Sequence, residues 1–449
     1  MPEITRRSAL LGGAGAAAAL AAPLAAPPLV ERANAQSAFD WRRFQGERLE
    51  VSLTRSPRSD VMEREHRAFE ELTGIRVGAE AIPEQQHRQK VAIEFASGRP
   101  SFDVVTISLH VQKRLVARGN WLSDLRPMLA DPTLTAPDYD WAGVSEGGRR
   151  YVTQADGKVD SLPLNIDFWI MYYNRRLFRE RGLSDPASMD EMVAHARALT
   201  DARRQQYGFV GRGLRNANVP VFTSFLLGRD VDPVDRQGRL TTDGAEAVWA
   251  GEVYKTLLRD CAPPGVVGFN WNECQTSFMQ GRAAMWLDGV GFAMPLLDRA
   301  RSRVAEDVGF AVVPPGPKAQ HSAIFGDGVG VSRSSPRQGP AYLYAQYMTS
   351  RPVLARMLAA GAGTPPRDAL YADPSAMANS PFGREWFETV LRSQRIGRPG
   401  LPEIVPVTEF RDTIGIALTN TVGGADVAAE LKRATDAFRP VLEASERAA

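Results

Sequence analysis

From Leu49 onward, short apolar runs alternate with amphipathic stretches. Residues 49–53 predict a strand. Residues 60–72 carry Val61, Met62, Phe69 and Leu72 at helical spacing, hold carboxylates near their start and stop at Thr73-Gly74, where glycine suits a left-handed helix end, so they predict a helix. Residues 75–81 predict a second strand and 85–96 a second helix ending at Ser97-Gly98. Residues 102–107 predict a third strand, nearly continuous in apolar character as buried parallel strands are. This βαβαβ order predicts an α/β fold with an open, mostly parallel sheet and helices on both faces. Ligands of such sheets bind beyond the carboxyl ends of the strands, here Thr54-Arg55-Ser56 and Ser108-Leu109-His110. Further on, Ser188-Met189-Asp190-Glu191 has the spacing of a capping box and Asp235-Arg236-Gln237-Gly238 that of a turn.

With 449 residues, the chain is about three times the length of one average domain, so two domains are expected. Its 54 Lys+Arg against 52 Asp+Glu leave a net charge of +2, too little for the positive field that non-specific nucleic-acid binding needs. Residues 1–35 read as an export signal. Arg6-Arg7 precede a stretch rich in Ala, Gly and Leu, and Ala33-Asn34-Ala35 offers a small-x-small cleavage point near Ala35. The paired arginines point to the twin-arginine type, although Ala9 and Leu11 depart from the usual pattern and leave Sec export open. Pro23, Pro27 and Pro28 interrupt the stretch and weigh against a retained membrane anchor, so a soluble periplasmic protein is expected.

Cys261 and Cys274 bracket Pro263-Pro264-Gly265. In an oxidising compartment the pair is expected to close one loop as a disulfide, two buried thiols being the alternative. A zinc site lacks ligands, because His66, His87, His110, His195 and His321 are scattered. Asp230, Asp232 and Asp235 lack calcium-loop spacing. There is no G-x-S-x-G elbow, H-E-x-x-H or Walker loop, and Gly326-Asp327-Gly328-Val329-Gly330 precedes no helix, which fits close backbone approach at a cleft better than a phosphate cradle. No metal and no cofactor are expected.

Several blocks in order resemble the family 1 extracellular solute-binding proteins, the sugar receptors of ABC importers related to maltose-binding protein. They are Phe69-Glu70-Glu71-Leu72-Thr73-Gly74-Ile75-Arg76-Val77, Met171-Tyr172-Tyr173-Asn174-Arg175-Arg176-Leu177-Phe178, Phe278-Met279-Gln280-Gly281-Arg282-Ala283-Ala284-Met285 and Gly363-Thr364-Pro365-Pro366-Arg367. The resemblance covers nearly all of the chain after the signal. It implies a two-lobe fold with the ligand cleft between lobes, the first lobe from 37–164 plus 326–370 and the second from 168–322 plus 375–449, with crossings near 165–167, 323–326 and 370–375. It also implies a monomer that binds a sugar or polyol, hands it to an inner-membrane ABC permease and breaks no bond.

Such a ligand needs planar polar side chains that bond bidentately and flat aromatics for its C–H faces. The expected ligand-binding residues are Asp327, Asp167, Asn165, Arg367, His110 and Arg55, with Trp271, Trp169 and Trp286 as the aromatic faces. Residues 261–265, 270–273 and 326–331 look more similar to the branch that receives mannitol or sorbitol than to the maltose branch. Glu409-Phe410-Arg411-Asp412, more charged than aromatic, suits a small ligand. The alternatives are a disaccharide, a small oligosaccharide or glycerol phosphate, the last drawing on Arg55, Arg212, Arg215 and Arg367, and, from another class, a secreted carbohydrate-active hydrolase or lyase.

Overall fold

Among the residues described, 39–378 and 380–447 of a computed structural model, eight strands alternate with helices. They are β1 (Arg48–Thr54), β2 (Arg76–Ile82), β3 (Val104–Ser108), β4 (Ser161–Asn174), β5 (Met285–Gly289), β6 (Val308–Val312), β7 (Ser322–Val331) and β8 (Gly397–Pro399). The signal read at 1–35 lies outside the described residues.

The first three strands form as the pattern predicts, with β1 parallel to both β2 and β3. The helix between β1 and β2 spans Pro57–Thr73. Ser56 caps it by accepting from the Ser59 N–H at 3.3 Å, and Pro57 costs nothing in the first turn, where its missing N–H has no partner to lose. The helix stops because Gly74 adopts φ 71°, its N–H returning to the Glu70 carbonyl at 2.8 Å. Val61, Met62 and Phe69 are buried against the sheet, and truncating Phe69 to alanine would cost about 3–5 kcal/mol.

Beyond β3 the sheet ceases to be parallel. Its order is β2-β1-β3-β7-β4-β5, with β6 also on β4 and β8 on β7. β7 runs antiparallel to β3 and β4, and β5 and β6 run antiparallel to β4. β4 and β7, of 14 and 10 residues, are long enough to serve two groups of neighbours. Residues 161–168 of β4 pair with β7, while residues 169–174 lie between β5 and β6.

β4 also divides the core. Successive side chains of a strand point to opposite faces, so Ile166, Phe168, Ile170 and Tyr172 join one hydrophobic cluster, with β1 and β3, while Trp169, Met171 and Tyr173 join another. Asn165 and Asp167 continue the second face toward β7, where Asn165 lies opposite Asp327 and Asp167 opposite Phe325. A Cβ on Gly326 would stand 2.5 Å from the Tyr151 ring and 3.0 Å from the Asn165 carbonyl oxygen, so this close approach admits only glycine.

Half of the capping box expected at Ser188 forms: its hydroxyl accepts from the Glu191 N–H at 3.1 Å and opens the helix Met189–Leu199, while the Glu191 carboxylate accepts from the Ala187 N–H at 2.6 Å instead of the Ser188 N–H. The disulfide does not form. Cys261 and Cys274 are separate, buried free thiols. Cys261 packs in the cluster with Phe209 and Leu257, whereas Cys274, on the helix Trp271–Met279, packs in the other with Phe278 and Trp286. A spacing that would allow a loop to close does not bring together side chains committed to different cores.

No helix among the described residues is long and apolar enough to cross a membrane.

Candidate functional site

A cavity of about 100 Å³ opens at the carboxyl ends of β1 and β3. Thr54, Arg55 and Ser56 leave β1 there, and Ser108 and His110 leave β3, the placement expected for parallel strands. The floor is the paired segment of β4 and β7, which supplies Asn165, Asp167, Trp169, Phe325, Gly326 and Asp327. Arg212, Trp271, Phe292 and Arg411 close the other side.

The polar groups are held rather than free. Asn165 Oδ1 accepts from the Thr364 N–H at 2.6 Å, and the Thr364 hydroxyl donates to the Ile166 carbonyl. This leaves the buried Asn165 Nδ2 without a protein partner, although its residue is only 1% exposed. A buried donor without an acceptor costs about 1–3 kcal/mol and is a place for a ligand oxygen. Two residues on, Asp167 Oδ1 accepts from the Gly291 N–H at 3.2 Å. Burial raises the Asp167 carboxyl to about 6, against the pull of Arg58 and the Gly291 N–H; Asp288 and Asp327 add to the rise. Across the strand pair, Asp327 Oδ2 accepts from Arg58 at 2.7 Å.

Three further elements bring charge. Glu84 and Arg88, one turn apart at the start of the helix Glu84–Ala96, form an ion pair, and the Arg88 guanidinium holds the half-buried Glu84 carboxyl down to about 2 against the opposing effect of desolvation. Arg88 also donates to His110 Nε2 at 3.2 Å, while His110 Nδ1 lies 3.3 Å from the Gly326 carbonyl. Burial, and then Arg88, push the imidazole well below its ordinary value, which fits the neutral ring with its proton on Nδ1. Arg212 makes a bidentate pair with the fully buried Asp288, at 2.9 and 2.5 Å. Its guanidinium lies over Trp169, 5.4 Å from the ring centre.

The aromatic side is a stack running from the cavity into the core. Trp271 lies parallel to Phe292 at 4.9 Å, Phe292 stacks on Trp286 at 5.9 Å, and Trp286 on Tyr172 at 4.8 Å. Trp271 presents the outer face.

The structure therefore brings Asp327, Asp167, Asn165, His110, Arg55, Trp271 and Trp169 to one cavity. It places Arg367 and Trp286 elsewhere. Arg367 is 2% exposed and donates to the carbonyls of Tyr139 and Asp140 at 2.9 and 3.0 Å, fastening one loop to another; Trp286 is fully buried behind Phe292. Sequence reasoning missed Arg58, Glu84 and Phe292, which line the cavity, and Arg88 and Asp288, which pair with the lining residues Glu84 and Arg212. Only Arg58 carried a signal, since it follows Thr54-Arg55-Ser56 within one helical turn. No group of three or more His, Cys, Asp or Glu among the described residues is arranged to hold a metal ion.

A larger cavity, about 900 Å³, lies against Ile166, Phe168 and Ile324, the neighbours in sequence of the floor residues on the same two strands. Lys113 and Glu403 pair in its lining at 3.2 Å and Arg114 reaches Glu446 at 2.7 Å, but the carboxyl ends of β1 and β3, Asn165 with its unused donor and the Trp271 face all meet at the smaller cavity, which is the candidate site.

A mixed sheet whose long strands floor a small cavity lined by hydrogen-bonding side chains and one aromatic face is an arrangement suited to holding a small polar solute. The chain belongs to the bacterial extracellular solute-binding protein family, whose signature it matches over residues 52–354. It is 25% identical to the erythritol/L-threitol-binding protein of Mycolicibacterium smegmatis, over 96% of this chain and 95% of that one. It is also 25% identical to the mannitol-binding protein of Pseudomonas aeruginosa, over 77% and 78%. In fold it is similar to an ABC transporter solute-binding protein of Agrobacterium radiobacter K84 crystallised with ribitol, with a TM-score of 0.81, 23% identity and coverage of 88% and 99%.

Proposed function

We infer that the protein is the periplasmic receptor of an ABC importer for a short, acyclic, polyhydroxylated solute of the sugar-alcohol kind. The observation that carries this reading is the pair Asn165 and Asp167: a buried amide with an unused donor and a carboxyl with acceptor capacity, side by side on one strand face at a small cavity. Vicinal hydroxyls satisfy such a pair, each donating to one group and accepting from the other. Trp271 offers its face to the carbon chain.

Size narrows the class. A water-sized body needs about 10–15 Å³ of such space, so about 100 Å³ takes roughly seven to ten heavy atoms. A four-carbon sugar alcohol has eight and a five-carbon one ten, a hexitol fills the space beyond that and asks the cleft to widen, and a disaccharide has more than twice as many. The ligands named for the relatives, erythritol or threitol, mannitol and ribitol, support the same class.

In this reading the two lobes, 37–164 plus 326–370 and 168–322 plus 375–449, close over the solute about β4 and β7 and present it to the permease. Closure excludes water and strengthens each polar contact. Residues 1–35 are the leader that takes the chain to the periplasm, and the exported form is a monomer.

Calorimetric titration of the purified protein with erythritol, ribitol, mannitol, maltose and glycerol phosphate tests the reading. Saturating erythritol or ribitol, at about a hundred times Kd, should stabilise the fold by about 2.7 kcal/mol, roughly 3 °C for a chain of this size. Tighter binding of maltose than of every sugar alcohol would refute it, as would release of new reducing ends from an oligosaccharide.

A further inference from the structure

The charges around the cavity do not balance pairwise. Arg58 meets Asp327, Arg88 meets Glu84, and Arg212 meets Asp288. Arg411, on the helix Val407–Val422, lines the same cavity and is only 6% exposed, yet it forms no ion pair among the described residues. Its one hydrogen bond runs from Nε to the Asn216 carbonyl at 3.1 Å, which leaves both terminal nitrogens of the guanidinium without a protein acceptor.

A buried guanidinium without a counter-ion is costly, and hydroxyl oxygens compensate it poorly compared with a carboxylate, which fits the planar edge with two parallel bonds. Burial, and then the proximity of Arg88, lower the Arg411 guanidinium to about 9; Glu84 opposes this and Arg212 adds to it. An anion seated there relieves each of these effects. Asp167, the remaining unpaired carboxyl, stands on the floor strand, and Gly291 already donates to it.

We propose that this cleft binds polyhydroxylated carboxylates, aldonic acids of four or five carbons, more tightly than sugar alcohols of the same length, with the ligand carboxylate on the open edge of Arg411 and its hydroxyls on Asn165 and Asp167. The inference rests on the cleft being the solute site of the receptor described above. The acid adds one oxygen to the alcohol of equal length, so erythronate, with nine heavy atoms, stays within the room available, while ribonate, with eleven, asks the cleft to widen slightly, as a hexitol does.

The test is calorimetric titration with two matched pairs, erythritol against erythronate and ribitol against ribonate, on the wild-type protein and on Arg411→Gln, with the melting temperature of each protein taken beforehand as a check on folding. The expected result is an acid at least tenfold tighter than its alcohol, and a ratio that collapses toward one in the variant. An acid no tighter than its alcohol overturns the proposal while the alcohol's binding leaves the receptor reading standing. A preference for the acid that persists in a folded Arg411→Gln overturns the assignment to Arg411. Should neither member of either pair bind, the reading of the cleft fails first and this inference with it. If Arg411→Gln does not fold, Arg411→Lys takes its place: it keeps the charge but loses the planar fork, and the acid's advantage should shrink at least several-fold, an undiminished advantage refuting the bidentate seat.

Discussion

Replacing Asp288 by asparagine removes one charge from a pair that is buried on both sides. Asp288 has no exposed surface and the Arg212 side chain is 14% exposed, with its two nitrogens 2.9 and 2.5 Å from the carboxylate. Asparagine fills the same space and can still accept from the Gly289 N–H, which now donates to Asp288 Oδ1 at 2.8 Å. Its amide would face the guanidinium donor to donor. Breaking a buried pair from one side costs about 3–5 kcal/mol, because the other charge is left in a poorly solvating place. With an unfolding entropy of about 2.1 cal/mol/K per residue over the roughly 410 residues of the unit Phe39–Ala449, 1 kcal/mol corresponds to about 1.2 °C. Asp288→Asn should therefore melt about 4–6 °C below the wild type in differential scanning calorimetry without ligand. The double variant Asp288→Asn with Arg212→Met, which removes the orphaned charge, should regain at least half of that loss. A single variant melting within 1 °C of the wild type, or a double variant no better than the single, would refute the account of a charge pair that matters chiefly by mutual neutralisation.

The other predictions concern separate groups. Because Asp167 is raised to about 6 from an ordinary 3.8, the folded state holds its proton where the unfolded state has released it, so its contribution to stability falls as pH climbs from about 4 to about 6. The total is on the order of 3 kcal/mol, and Asp167→Asn should flatten the melting temperature across that window; parallel profiles for the two proteins would count against it. Cys261 and Cys274 should react with a thiol reagent only after denaturation, and reductant should leave the melting temperature unchanged. Trp271→Ala should weaken sugar-alcohol binding about tenfold through loss of its face, whereas Arg367→Ala should lower the melting temperature with less than a twofold change in affinity, since Arg367 bonds only to backbone carbonyls.

The sequence was readable where function and local pattern coincide. β1, β2 and β3 and the helices between them carry their own periodicity and end signals, and boundaries fell within three residues of the expectation. Asn165, Asp167 and Asp327 were legible because a resemblance located the two crossing segments and strand alternation then made their faces predictable. Arg212, Asp288 and Arg411 were not legible as a set. Arg212 and Asp288 are 76 positions apart, and which of them neutralises which depends on packing that no window of sequence contains. Arg411 looks like any charged residue on a helix until the absence of its partner is seen. Trp286 misled for a related reason: every residue of β5 is buried, so alternation along that strand does not separate a cavity face from a core face.

The division of labour on β4 has an evolutionary corollary. Its odd positions, Asn165, Asp167 and Trp169, touch the cavity, and its even positions, Ile166 and Phe168, lie against the other face. A one-residue insertion or deletion upstream of 165 would exchange the two sets at a stroke, turning amide and carboxyl into the apolar side and isoleucine and phenylalanine toward the solute. New ligand preferences in descendants of this chain are therefore open to point substitution at every second position of the strand and closed to changes in its length. The repertoire of the receptor can drift in chemistry but hardly in spacing.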